Sequence, residues 1–169
     1  MSLAMHDGFA SLVHALYQRL DLTLPTDWVV EEGLAARCDL ELDGVAFALL
    51  YDPLVDPRRM RMQCDLGDPG ALPVPRLEDV LTRMLQLNFV LTLQQRGTSL
   101  CIDPDSGRAV CVIDGDLQAV QADALVSSLR AAAELALHWR RHGLLDDSVP
   151  DGAGMHGAMH SDLRLHQRI

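Results

Sequence analysis

The chain has 169 residues, 49% of them hydrophobic and 22% charged, with a formal net charge of −10 and a pI near 4.9. That length suits one domain with its own core plus a tail. The acidic balance argues against a nucleic-acid or anionic-membrane surface: phosphate binding needs a basic stripe, and the densest basic groups are Arg58-Arg59 with Arg61, and Arg140-Arg141.

Aromatic residues make up only 4% of the chain, so the core has to be built from Leu, Val, Ala and Met. Residues 7–20 place Phe9, Leu12, Val13, Leu16 and Leu20 at helical spacing, with Asp7 as the expected N-cap. Pro25 keeps the next stretch out of the helix. In 37–42, Cys38, Leu40 and Leu42 alternate with Arg37, Asp39 and Glu41, which predicts a strand with one wet face. Asp43-Gly44 is a two-residue hairpin signal. The following strand, Val45–Tyr51, is apolar on both faces and reads as an inner strand or as a face offered to a partner. Met60, Met62, Cys64 and Leu66 alternate with Arg61, Gln63 and Asp65, a third half-buried strand.

After a Gly/Pro-rich connector, Pro75 suits a helix start, and Glu78 and Asp79 suit the positive end of its dipole. Leu77, Val80, Leu81, Met84 and Leu85 form the stripe of this helix, Asn88 is its expected terminator, and Phe89 to Leu93 reads as either further helix or strand. Two strands follow near 98–103 and 108–114 around the polar turn Asp103–Gly107. Ala122–Arg141 is a strong helix with a wide apolar arc, ended by Gly143. The order is α-β-β-β-α-β-β-α: an α+β chain with an antiparallel sheet. Residues 1–143 read as the domain, and 144–169 as a Gly/His/Met-rich tail of weak order.

Motifs that carry chemistry are few. Cys38, Cys64, Cys101 and Cys111 sit in apolar strand-like runs without CxxC spacing and read as small core residues. His138/His142 and His156/His160 have the i, i+4 spacing from which some zinc sites are built, but no third ligand or HExxH motif accompanies them. Met155 and Met159 beside the tail pair leave a soft-metal role open as a minor reading. Asp103, Asp105 and Gly107 faintly resemble a calcium loop, yet Asp114 stands where its distal Glu belongs. No GxSxG or P-loop run is present. An enzyme and a cofactor are therefore not expected. The N-terminus has no basic flank before an apolar run, and no stretch approaches the ~20 apolar residues that span a bilayer. A cytoplasmic protein with reduced thiols is the expectation.

The helix 9–16, the hairpin Cys38-Asp39-Leu40-Glu41-Leu42-Asp43-Gly44, the run Met84-Leu85-Gln86-Leu87-Asn88 followed by Gly97–Asp103 and Val110-Cys111-Val112, and the helix Ala122–Trp139 together resemble the class I type III secretion chaperones, the Tir-chaperone (CesT-like) family. The resemblance covers roughly 7–142. It implies a two-layer α/β sandwich that forms a homodimer, needs no nucleotide, and holds the N-terminal region of a secreted effector in extended, export-competent form. The export machinery is a further implied partner. By position it points to Val80, Leu81, Met84 and Leu85 for the dimer contact, and to Leu12, Leu16, Leu40, Phe47, Leu49, Leu100 and Ile102 for the effector. The alternative is an adaptor or regulatory domain of the same fold with no role in export.

Overall fold

The computed structural model describes residues 3–31, 33–72, 76–94 and 97–142. The elements are α1 (Leu3–Arg19), β1 (Ala36–Leu42), β2 (Val45–Tyr51), β3 (Arg59–Gly67), α2 (Leu77–Gln94), β4 (Thr98–Ile102), β5 (Ala109–Asp116) and α3 (Ala122–His142), with one 3-10 turn at Pro69–Ala71. The five strands form a single antiparallel sheet in the order β1-β2-β3-β5-β4. The expected α+β order and strand set are observed. Pro75, Gly143 and the 144–169 tail lie outside the described residues.

Turn chemistry fixes the register. Asp43 and Gly44 have φ of 54° and 74°, the two left-handed positions of a tight hairpin, and pair Leu42 with Val45. From there alternation places Cys38 and Leu40 of β1, Phe47 and Leu49 of β2, Met62 and Cys64 of β3, and Cys111 and Ile113 of β5 on one face. That face is the core, and α1 and α3 cover it. On α1, Phe9, Val13 and Leu16 are buried, and Phe9 stacks on Tyr51 with ring centroids 5.2 Å apart. On α3, Ala132, Ala133 and Ala136 keep the helix slim enough to lie close over β3, where the Cys64 thiol donates to the Ala132 carbonyl at 3.5 Å. Arg140 anchors the end of α3 by donating to the carbonyls of Gly44, Asp65 and Leu66 at 2.9–3.1 Å.

The opposite face of the sheet carries Arg37, Asp39 and Glu41 from β1, Arg61, Gln63 and Asp65 from β3, and Asp114 from β5. Val45–Tyr51 is an inner strand, between β1 and β3. Its second apolar face is short: Ala48 is buried and Leu50 half-buried beneath longer neighbours. Val45–Tyr51 is therefore mostly core.

Two helix boundaries differ from the sequence expectation. α1 begins at Leu3, so Asp7 lies inside the helix and is not its cap. α2 does not stop at Asn88 but runs on to Gln94. The Asn88 carboxamide is engaged by β4 and does not cap its own helix, and Leu87 and Leu91 extend the core-facing side past it.

Candidate functional site

Among the described residues, the exposed large apolar side chains of regular elements lie on α2, apart from Ile102. At 100° per residue, Leu77, Leu81, Leu85 and Phe89 drift slowly round one flank of the helix, while Val80, Met84, Leu87 and Leu91 face the core. Along that flank Leu77 and Leu81 are partly exposed, Leu85 is 71% and Phe89 69% exposed, and Val90 is exposed on the other flank. The four residues implied for the dimer contact divide between core and surface. Val80 and Met84 are 0% and 4% exposed and belong to the protomer's core, whereas Leu81 and Leu85 face outward. Leu77, part of the predicted stripe but not of the dimer set, is exposed as well, and sequence reading missed Phe89 and Val90. Leaving 89–93 open between helix and strand hid Phe89, although its place four residues after Leu85 was the signal that could have found it.

The residues implied by position for the effector lie mostly in the protomer's core. Leu12, Leu16, Leu40, Phe47, Leu49 and Leu100 are all buried, because strand parity and the helix stripe turn them into the layer between sheet and helices. Only Ile102, 37% exposed on β4, is accessible. Accessible apolar side chains lie instead in the connections: Leu54 and Val55 in the β2–β3 loop, and Leu22, Val29 and Leu34 between α1 and β1. None of these belongs to a periodic run, so periodicity could not single them out.

The β2–β3 loop overhangs a cavity of about 390 Å³ on the open sheet face. Leu50, Met60, Ala36 and Val55 give it apolar walls, and Arg37, Arg61 and Asp114 rim it. Ion pairs hold that rim: Arg61 Nε is 2.8 Å from Asp114, and Arg37 lies 2.8 Å from Asp39. Hydrogen bonding to Asp114 and Asp39 raises the pKa of both guanidiniums. Gly97, at φ 94°, lets the chain turn into β4 with the Asp114 carbonyl beside it; a Cβ there would stand 3.1 Å from that oxygen.

Both sheet edges are touched by side chains. On β1 the Trp28 indole N–H donates to the Arg37 carbonyl at 2.8 Å and the Tyr17 hydroxyl to the Asp39 carbonyl at 2.7 Å. On β4 the Asn88 carboxamide meets the backbone of Leu100. Burial pushes the Tyr17 hydroxyl well above its ordinary value, with the Cys38 thiol adding to the effect. Burial raises the Cys111 thiol to about 12 and raises that of Cys64 as well, so both thiols are neutral core groups. Cys101 is the exposed cysteine, on the open face of β4.

Among the described residues no three His, Cys, Asp or Glu side chains converge as a metal site, and no helix is long and apolar enough to cross a membrane. The rings of His138 and His142 lie 5.0 Å apart. His156, His160, Met155 and Met159 lie outside the described residues. So does Gly152-Ala153-Gly154-Met155-His156-Gly157, which has the Gly-x-Gly-x-x-Gly spacing without a strand-to-helix context in the sequence around it. What the described surfaces offer a ligand is apolar contact and hydrogen bonding at the sheet margins.

A five-stranded antiparallel sheet layered with helices, with an apolar flank on α2, places the chain in a two-layer α+β class. The sequence profile of the Tir chaperone protein (CesT) family matches residues 37–140, from β1 nearly to the end of α3, and the chain belongs to that family. Two solved structures share its fold. A chain of the ExsC–ExsE complex aligns with a TM-score of 0.60 at 14% identity, over 88% of this chain and 98% of its own. A chain of the HopA1–SchA chaperone–effector complex aligns with a TM-score of 0.57 at 16% identity, over 83% and 98%. No curated protein sequence matches the chain at a significant level.

Proposed function

We propose that the protein is a cytoplasmic type III secretion chaperone that works as a homodimer and is not an enzyme. It holds the N-terminal region of a secreted effector in extended form and keeps it competent for export. The observation that carries this reading is the family match across the whole sheet and α3. The fold's likeness to a chain of a chaperone–effector complex supports it.

The surfaces divide the labour. The Leu77/Leu81/Leu85/Phe89 flank of α2 is the dimer seam, since a two-fold axis lets one apolar stripe cover itself. Ile102, the β2–β3 loop with its cavity, and the margin of β1 remain for an extended client, whose side chains fill apolar depressions while its backbone bonds to the sheet. The net charge of −10 suits a client with basic flanks. Deleting the gene in its source organism should leave one exported protein poorly secreted, and complementation should restore it. Unchanged secretion of every exported protein favours the adaptor alternative.

A further inference from the structure

β4 is an edge strand, and the inward direction of its hydrogen bonding is set at its two ends. Asp114 N–H donates to the Gly97 carbonyl and Asp103 N–H to the Arg108 carbonyl, both at 2.8 Å, so the odd-numbered residues face β5. The even-numbered ones, Thr98, Leu100 and Ile102, turn their N–H and C=O outward. At Leu100 a single side chain takes both. Asn88 donates from Nδ2 to the Leu100 carbonyl at 2.7 Å and accepts the Leu100 N–H on Oδ1 at 2.7 Å. This is the pair of bonds one residue exchanges with its partner in a neighbouring strand. Leu100 is buried, so its backbone groups could not stay unpaired there without loosening the packing. On the opposite edge the capping is lighter: Trp28 and Tyr17 take one carbonyl each.

We propose that Asn88 is a surrogate strand: its carboxamide seats α2 on β4, closes that edge to added strands, and so determines which side of the sheet an extended segment can join. Only a primary amide can do both halves of this. Asp lacks the donor, Leu and Ala lack donor and acceptor, and Gln sets the amide one methylene farther out. An exposed strand margin is a template for pairing with other chains, and a covering element is one way in which folds close it. The proposal rests on the reading of the chain as a binder of extended segments, but its test requires no client.

Asn88→Ala is introduced into the full chain. Amide exchange is followed by NMR at Leu100, with Cys111 as an internal reference, and association by sedimentation velocity. The Leu100 amide should exchange at least tenfold faster relative to Cys111, a ratio that general destabilisation alone leaves unchanged. The variant should also form species larger than wild type. Adding Ile102→Pro, which removes an outward N–H from the same edge, should abolish the extra association. Asn88→Asp keeps the acceptor and fold-compatible shape, so it should fold even if the alanine variant does not, and should associate to an intermediate degree. An unchanged exchange ratio in whichever variant folds, no added association, or association that survives Ile102→Pro overturns the proposal. A wild-type chain that captures no client would contradict the proposed function and leave the role of Asn88 standing.

Discussion

Leu85 and Met84 are sequence neighbours with opposite surroundings, and truncating each to Ala separates assembly from folding. Leu85 is 71% exposed in the protomer. Fully burying a Leu contributes roughly 1.5–3 kcal/mol, so about two-thirds of that, ~1–2 kcal/mol, is available to a dimer seam. Two-fold symmetry counts it twice, which gives ~2–4 kcal/mol per dimer, or about 30- to 1000-fold in the dissociation constant. Leu85→Ala should therefore shift the monomer–dimer equilibrium by that factor in sedimentation equilibrium, while the chain keeps its denaturation midpoint when both proteins are measured as monomers. Met84 is 4% exposed and packed in the core. Met84→Ala should cost about 2–5 kcal/mol of protomer stability, a large share of the ~5–15 kcal/mol typical of a domain. A Leu85→Ala protein that dimerises like wild type would place the seam elsewhere. A Met84→Ala protein of normal stability that fails to dimerise would mean that α2 turns Met84 outward.

Of the four cysteines, only Cys101 should react with a thiol reagent in the native protein, and slowly near neutral pH because burial raises its pKa too; reaction of a second thiol before unfolding would refute the packing of Cys38, Cys64 and Cys111. Tyr17 has its pKa raised above its ordinary 10.0. The folded chain thus holds a proton that the unfolded chain releases, and this contribution is complete below pH 10 and lost as pH climbs through the higher folded value. Unfolding midpoints should fall above pH 10, and Tyr17→Phe should flatten that fall while removing about 1 kcal/mol at neutral pH with the hydroxyl's bond to Asp39. Trp28 donates to the β1 edge and Trp139 is fully buried, so an extended segment joining β1 should shift the emission of Trp28 alone; no change in a Trp139→Phe background on client binding would exclude that edge.

The fold was legible because its signals are local. Alternation in 37–42 and 60–66, the Asp43-Gly44 turn, and the long arc of α3 each depend on residues within one element. The candidate surfaces were less legible because facing is a tertiary property. Strand parity predicts that Leu40 and Phe47 share a side, but not that α1 and α3 cover that side; the helices do cover it, and both residues are core. In α2 the apolar arc is wide enough to serve both core and surface. Val80 and Met84 cannot be told from Leu81 and Leu85 by residue type, only by where β4 sits. Asn88 was misread for a related reason: an Asn after an apolar stripe is a good helix end until a strand edge supplies other partners for its amide. The exposed Leu54 and Val55 depend on a loop whose course no periodicity encodes.

The proposed function requires that this chain hold an exported protein's N-terminal region in extended form. Its most direct test is affinity capture of the full chain from its source cells, identification of the bound protein by mass spectrometry, and recapture with that protein cut to its first ~100 residues, the scale of one small domain. The account predicts a dimer bound to a secreted protein, with the truncated piece sufficient and, outside the chaperone-contacting stretch, lacking protected amides. A strictly monomeric chain with no partner, or a partner that is not exported and binds only as an intact folded domain, would contradict it.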